Sequence, residues 1–378
     1  MSRNQNEANG KTNSASLGFA GLTAMIIGST IGAGIFTIAG DMAANGAHTG
    51  SVLIGWGICG IGMYTLMMSF FGLNRVKPEL TNGIYSYAKE GFGEFVGFNS
   101  AWGYWMSALI SNVSYITLLF GALGYFFPVF QHGNNTVSIL CGSLLVWLLV
   151  FLVLKGVGQA TFITIIATVC KLVPIFVFIA AIPLASKFSI DIFMDNFWGE
   201  PGGPDFGAQV VSTMIALVWV FTGIEASVVV SGRAKYAKDV GRASAIGFIG
   251  VFVLYLFISA LSLGIMPRAE MAELATPSMA GILEHAIGPV GAAIVNLGVV
   301  LSLMGAMLGY VIISAETPFE AARQGVFPEG VAKMNKNEAP LVTTLVSAGI
   351  TQLFLIVSGV LGKSNLQFFY AWPVNTIL

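Results

Sequence analysis

Apolar residues run along the chain in long stretches, and short polar segments separate them. A helix that crosses the hydrocarbon core of a bilayer needs about 20 predominantly apolar residues. By that criterion the pattern predicts nine spanning helices. They cover about 17–38, 50–73, 93–127, 137–155, 160–183, 209–231, 242–266, 284–315 and 341–361. The third and the eighth are longer than a bilayer requires, which indicates tilted helices.

The composition agrees with a membrane protein. Of the 378 residues, 56% are hydrophobic and only 9% are charged, whereas a soluble domain carries roughly a quarter charged residues. We therefore expect an all-α integral membrane protein with a polar cytoplasmic tail at 1–16 and one transmembrane domain at 17–378. The net charge of −1 argues against a nucleic-acid partner. The three cysteines have no paired spacing, so neither a disulfide framework nor a metal site is expected.

The basic residues predict the orientation of the chain. With the N-terminus in the cytoplasm, thirteen basic residues fall inside, three fall outside and one falls within a span. Cytoplasmic loops are enriched in Lys and Arg, so this distribution favours an inner-membrane protein with a cytoplasmic N-terminus. The inner residues are Arg3, Lys11, Arg75, Lys77, Lys89, Lys155, Arg233, Lys235, Lys238, Arg242, Arg323, Lys333 and Lys336; the outer ones are Lys187, Arg268 and Lys363.

Two segments carry residues that a simple spanning helix does not need. The first span contains GSTIGAGIF at 28–36, with three glycines in an apolar stretch. Glycine lets the backbone leave helical angles, and unwound backbone at membrane depth is tolerated only where protein or a cavity covers it. The glycines could also serve close helix packing alone.

The sixth span favours the first of these interpretations. It contains VWVFTGIEASVVVSG at 218–232, where Gly223 precedes the intramembrane carboxylate Glu225. Two interrupted helices five spans apart cross the membrane in opposite directions, as an inverted repeat requires. We expect both breaks to meet at the midplane and bind a solute through exposed peptide groups.

At these residues the sequence resembles the amino acid/polyamine/organocation (APC) superfamily, and within it the bacterial basic amino acid antiporters of the arginine/ornithine type. The resemblance extends from about residue 17 to 360 and includes the segment 77–128, PSMAGILEHAIGPVGA at 277–292 and AARQGVFPEGVAKMNKNEAP at 321–340. It implies a LeuT-like five-plus-five inverted repeat with discontinuous helices 1 and 6. The first repeat would cover about 17–183 and the second about 209–378. The second would be incomplete, since NLQFFYAWPVNTIL at 365–378 only begins a tenth span; a C-terminally truncated chain is expected.

The resemblance also implies which residues bind the substrate. Gly32, Ala33 and Gly34 would receive its carboxylate with help from Thr30, and Ala33 replaces a serine that is common in related antiporters. The carbonyl groups near Trp219 and Thr222 would receive its α-amino group, with Gly223 allowing the break. The substrate side chain would meet three further residues: Asn112, Ser107 and Tyr310. Tyr310 stands where a related antiporter stacks a tryptophan on the guanidinium group, and tyrosine offers a weaker cation–π face.

Three residues are candidates for gating or coupling: Tyr104, Lys171 and Glu225. Lys171 resembles a fifth-helix lysine whose ammonium takes the place of a sodium ion; it would then bridge the first and eighth helices and make transport sodium-independent. The alternative is a lysine that reaches the lipid headgroups. Glu225 is either a binding or gating group or a structural acceptor. The histidines, His48, His132 and His285, lie at or near outer loops and are expected to be solvated.

The sequence carries no enzyme motif and implies no cofactor. The function expected is exchange of cationic amino acids, arginine or lysine in and an ornithine-like product out, by alternating access. Proton-coupled amino acid uptake and a non-transporting binding or sensor protein are the alternatives. The expected partners are amino acids and membrane lipid, and a homodimer is one option for assembly.

Overall fold

The computed structural model describes residues 19–77, 80, 84–130, 132–155, 160–223, 237–337 and 339–361. Glu225 lies outside these ranges, so its predicted role stays a prediction. The described residues form helices joined by loops, with no β-strand among them, and this part of the chain has the all-α fold expected from the sequence.

The α-helices follow the apolar segments closely. They are α1 Phe19–Thr30, α2 Ile38–Ala44, α3 Thr49–Val76, α4 Ile84–Phe92, α5 Glu94–Phe126, α6 Thr136–Leu154, α7 Ala160–Leu184, α8 Ile190–Met194, α9 Phe206–Val220, α10 Ala237–Leu263, α11 Arg268–Ala272, α12 Ser278–Ile287, α13 Pro289–Arg323 and α14 Leu341–Leu361. Short 3-10 turns lie at Gly34–Phe36, Pro128–Phe130 and Glu329–Val331.

Six described helices are long and apolar enough to cross a bilayer: α3, α5, α6, α10, α13 and α14. They coincide with six of the nine predicted spans. The first predicted span, 17–38, covers α1 and the turn at Gly34–Phe36, whereas α2 begins only at its last residue. The sixth span is represented by α9, and α7 occupies the fifth. The early end of α1 and the short length of α9 follow from the breaks described below.

One boundary differs clearly from the expectation. The eighth span was predicted to begin at residue 284, but Gly288 separates α12 from α13 with φ +81°. Glycine adopts this left-handed conformation without steric cost, and Pro289 is suited to the first turn of the next helix. The apolar run therefore belongs to two helices, and the spanning one starts at Pro289.

Helix α5 lies at the centre of the molecule and is buried along most of its length. It packs against α13, which also contacts α7, while α1 packs against α10 and α3 against α9. Lys171 of α7 donates to carbonyls of the first helix, and Tyr115 of α5 lies beside Gly32 and meets Tyr310 of α13, so these three helices adjoin the break where the candidate site lies.

The structure corrects the expectation for one histidine. His132 and His285 are exposed, but His48 is only 6% exposed. It precedes α3 and lines a cavity of about 110 Å³ together with Asp195, Glu200 and Arg268. The residue was expected to be solvated because it follows an outer turn; the loop before α9 covers it instead.

Candidate functional site

The first helix is interrupted where the glycine-rich segment predicted a break. Helix α1 ends at Thr30, and regular hydrogen bonding resumes only with Phe36, whose N–H donates to Ala33 O at 3.1 Å. The N–H groups of Ala33, Gly34 and Ile35 have no acceptor among the described residues. Buried backbone donors are almost always paired. Three consecutive unpaired donors therefore leave a place for an anionic group.

The helix of the sixth predicted span ends early. Helix α9 ends at Val220, and a turn follows through Phe221 to Gly223, which has φ +112°. The Thr222 hydroxyl donates to Val218 O at 3.5 Å, and the Thr222 N–H donates to Trp219 O at 3.1 Å. The helix therefore ends well before residue 231, the predicted end of the span.

The two breaks are in direct contact. A Cβ atom built on Gly34 would lie 2.7 Å from a ring atom of Trp219 and 3.0 Å from Val220 Cγ2. Only a residue without a side chain allows the first break to lie this close to the Trp219 ring and the Val220 side chain. The first break therefore contacts the end of the helix of the sixth predicted span, and binding of a solute between them stays a prediction.

A group of tyrosines surrounds the first break, and the sequence did not single out two of them. The Tyr255 hydroxyl donates to Thr30 O at 3.1 Å and accepts a backbone hydrogen bond from Gly32. The Tyr115 ring meets the predicted site residue Tyr310 edge to face, with centroids 5.0 Å apart. A Cβ atom on Gly32 would lie 3.8 Å from the Tyr115 hydroxyl.

The sequence did contain a signal for these tyrosines. A phenol buried in an apolar helix usually has a hydrogen-bond partner, so Tyr115 and Tyr255 pointed to nearby polar groups. Tyr115 also lies three residues after Asn112, a spacing that places both on one face of α5.

Asn112 offers an unpaired acceptor. It is 2% exposed, and its Nδ2 donates to Ala108 O at 3.3 Å within its own helix. Its Oδ1 is buried and has no donor among the described residues. Ser107 is also buried on α5, and Tyr104 is partly exposed one turn earlier. The unpaired Asn112 Oδ1 can accept a hydrogen bond from a cationic or N–H-bearing group of a ligand.

Lys171 reaches the end of α1. Its Nζ donates to Gly28 O and Ile31 O, both at 2.8 Å, and the residue is 8% exposed. These carbonyls lie at the C-terminal end of α1, where the helix leaves its last acceptors unpaired. Lys171 was expected to bridge the first and eighth helices. The hydrogen bonds of the described residues join it to the first helix only, and they place its ammonium group inside the protein instead of at the headgroups.

The arrangement brings most of the predicted residues to one region. Gly34 contacts Trp219, Gly32 lies beside the Tyr115 hydroxyl, Thr30 and Lys171 lie at the end of α1, and Tyr310 meets Tyr115. The first break offers unpaired N–H donors, and α5 carries the ring of Tyr115 and, three residues earlier, the unpaired amide oxygen of Asn112. It is equipped to bind a small molecule that carries a carboxylate and a separate cationic group.

Comparison with known proteins found one matching family and several similar transporters. The family model described as amino acid permease matches residues 17–374. An arginine/ornithine antiporter of Pseudomonas aeruginosa is 46% identical over 91% of this chain and 71% of its own length. An arginine/agmatine antiporter of Chlamydia abortus is 40% identical over 93% of this chain and 73% of its own length.

The fold also has a solved counterpart. A structure described as the inward-facing conformation of Mhp1 superposes with a TM-score of 0.62, at 16% identity, over 94% of this chain and 74% of that one. At this low identity the similarity concerns the fold alone.

Proposed function

The chain belongs to the amino acid permease family, and from that membership we propose that it exchanges cationic amino acids across a bacterial inner membrane by alternating access. Arginine or lysine would enter and an ornithine-like product would leave. The names of its relatives, arginine/ornithine and arginine/agmatine antiporters, support a cationic substrate. The protein is a multi-pass membrane transporter rather than an enzyme.

The architecture proposed for this function is a LeuT-like inverted repeat with nine full spans, a cytoplasmic N-terminus and a single transmembrane domain from residue 17. The fold similarity to Mhp1 supports the general arrangement. In the proposed cycle the broken first and sixth helices rock against a scaffold formed mainly by α5 and α13, so that one central site opens to each side in turn. Tyr104 and Glu225 are proposed as gating residues, and a homodimer is the assembly to be tested.

The proposed substrate pose uses peptide groups near the two breaks and side chains of α5 and α13. The carboxylate lies against the N–H groups of Ala33 and Gly34, and the α-amino group lies near the carbonyls of Trp219 and Thr222. The cationic side chain extends toward Asn112, Ser107 and Tyr310. The observation that carries this proposal is the buried Asn112 Oδ1 without a donor, because leaving such an acceptor unpaired costs about 1–3 kcal/mol and a guanidinium or ammonium group would satisfy it.

Exchange can be tested in proteoliposomes. Vesicles loaded with labelled arginine should release it when ornithine is outside and retain it when ornithine is absent. Release at the same rate without external ornithine would contradict obligatory exchange.

The role of Asn112 can be tested against a matched asparagine. Asn296 is also buried, at 3% exposed, and its Nδ2 likewise donates to the carbonyl four residues earlier, Ala292 O at 2.9 Å. Asn112→Leu should raise the KM for arginine by about tenfold or more, since it removes a charge-assisted hydrogen bond, whereas Asn296→Leu should leave it nearly unchanged. Equal KM values in the two variants would contradict the proposed pose.

Proton-coupled uptake is the second candidate, and Lys171 favours it. Both acceptors of its ammonium group are neutral carbonyls, so loss of a proton would leave no unpaired opposite charge there. Coupling predicts that an imposed pH gradient accumulates arginine without counter-substrate and that Lys171→Met abolishes this. Exchange alone predicts no accumulation.

A further inference from the structure

A groove on the outside of the helix bundle is lined by none of the predicted site residues. It has a volume of about 300 Å³ and is formed by α5, the end of α13 and the start of α14. Three of its lining side chains are turned partly outward: Phe98 is 39% exposed, Trp102 44% and Val346 43%. Since the helices that form it are membrane spans, the surroundings of this groove are lipid.

One polar atom in the groove has no partner. Thr343 lies in the first turn of α14, is 2% exposed and lines the groove. Its Oγ1 has no hydrogen bond within the described part of the chain. The next residue, Thr344, bonds its hydroxyl to Pro340 O in the usual way. The Thr343 hydroxyl thus lies just beneath the apolar wall of the groove, and rotation of its side chain toward the groove would let it donate to a ligand carbonyl oxygen.

Two unpaired basic residues lie at the same end of α14. Lys333 O accepts the N–H of Leu341, the first residue of α14, at 2.9 Å. Lys333 therefore lies beside the start of the helix that carries Thr343. Lys333 and Lys336 are both exposed, and neither forms an ion pair with a described carboxylate.

Along α14 these features occur in the same order as the parts of a phospholipid: the charged headgroup, the ester carbonyl and the acyl chain. The lysines precede the helix, Thr343 follows in its first turn, and Val346 lies three residues deeper, about 4–5 Å along the axis. We propose that the groove binds an anionic glycerophospholipid of the cytoplasmic leaflet. Its phosphate lies at Lys333 and Lys336, an ester carbonyl accepts from Thr343 Oγ1, and an acyl chain packs against Trp102 and Val346.

The position of the groove brings such a lipid into contact with the helices of the proposed scaffold. Its floor includes Trp105, whose Nε1 donates to Ser347 Oγ at 2.9 Å, and Pro318, which belongs to α13. Helix α13 also carries Tyr310. A bound lipid would therefore hold together α5, α13 and α14 at the cytoplasmic end of the molecule.

The proposal can be tested by lipid binding to the purified full chain, independently of transport. Native mass spectrometry and thermal unfolding in detergent would compare phosphatidylglycerol, phosphatidylcholine with the same acyl chains, and inorganic phosphate. We expect phosphatidylglycerol to bind at least about tenfold more tightly than phosphatidylcholine, because each basic residue near an anionic headgroup favours binding severalfold. Inorganic phosphate should neither bind nor stabilise.

Three variants and one control locate the site. Lys333→Gln with Lys336→Gln should abolish the preference for phosphatidylglycerol, Thr343→Val should weaken binding of both lipids, and Val346→Trp should fill the groove. Lys187→Gln, an exposed lysine on the opposite side, is the control and should behave as wild type. Since the lysine variants change only exposed side chains, they test the proposal even if Val346→Trp fails to fold.

The proposal is overturned if wild-type protein binds both lipids equally, if the double lysine variant keeps the preference, or if phosphate alone reproduces the stabilisation. The last result would indicate a free-anion site.

Discussion

Gly32 and Gly34 belong to one short segment, yet their surroundings impose different demands. Space remains around Gly32, where an added Cβ would meet only the Tyr115 hydroxyl at 3.8 Å. Around Gly34 the Trp219 ring leaves no space for an added Cβ. The two glycines are equivalent in the sequence pattern and different in the packed molecule.

This difference yields a prediction about stability. Gly34→Ala should lower the free energy of unfolding by about 1–3 kcal/mol, because it forces an extra methyl group into a packed contact. Gly32→Ala should change it by less than about 1 kcal/mol. Thermal unfolding of the two variants in the same detergent compares them directly, and an equal loss in both would show that Trp219 does not confine Gly34.

The buried His48 gives a prediction about how stability depends on pH. Burial lowers the pKa of His48 below its ordinary value of 6.5. The Arg268 guanidinium group contributes in the same direction, while the Glu200 and Asp195 carboxylates oppose it. The unfolded chain therefore binds a proton below pH 6.5 that folded His48 binds only at lower pH, so the free energy of unfolding should fall as the pH drops below 6.5.

The measurement is the melting temperature between pH 8 and 5.5. Wild-type protein should lose stability below pH 6.5, and His48→Gln should show a flatter profile even if it is less stable throughout. His285→Gln, at an exposed position, should keep the wild-type slope. If His48→Gln also retained that slope, the pH dependence would have another source.

At the scale of elements, a proline in α13 is compensated by a neighbouring helix. Pro318 has no N–H, so the carbonyl of Ser314 lacks its donor within the helix. Ser347 of α14 supplies one, since its Oγ donates to Ser314 O at 2.7 Å. The same Oγ accepts from Trp105 Nε1 of α5. One hydroxyl group thus joins three helices.

Removal of that hydroxyl should therefore be costly. Ser347→Ala leaves the Ser314 carbonyl and the Trp105 N–H unpaired, and should lower the free energy of unfolding by about 2 kcal/mol or more. Ser358 is the matched control on the same helix: it is 4% exposed, and its Oγ donates only to Leu355 O, three residues away. Ser358→Ala should cost less than about 1 kcal/mol. Thermal unfolding of both variants tests this prediction. Similar losses of stability would mean that the hydrogen bonds of Ser347 between helices do not stabilise the protein.

At the scale of the whole molecule, the contact of Lys171 with α1 bears on whether transport depends on sodium. Its ammonium group takes two carbonyls at the end of α1, positions that a cation would otherwise be drawn to. We therefore expect arginine–ornithine exchange to proceed at the same rate in sodium and in choline buffers. Flux assays with the two salts check this. A rate that rises severalfold with sodium would contradict occupation of these two carbonyls by Lys171 during exchange.

The sequence predicted the helices better than the site. Nine apolar runs, a break at Gly32–Gly34 and another near Gly223 could be predicted because lipid requires apolar length and glycine allows unwinding. The boundary at Gly288 was missed because an apolar run does not show where its backbone turns. Tyr115 and Tyr255 were missed since their partners come from other helices. Lys171 was rightly treated as internal, but its acceptors could not be deduced from the apolar pattern.

What the sequence alone determined was therefore local: which segments are apolar enough for a membrane, which positions permit a break, and which polar residues lie within spans. Only the tertiary structure decided that Gly34 touches Trp219 and that Lys171 donates to the carbonyls of Gly28 and Ile31. It also decided that Ser347 supplies the donor that the Ser314 carbonyl lacks within α13. The physical reason is that membrane helices satisfy their own backbone almost completely. The few groups left over find partners on other helices, at sequence separations that no local pattern records.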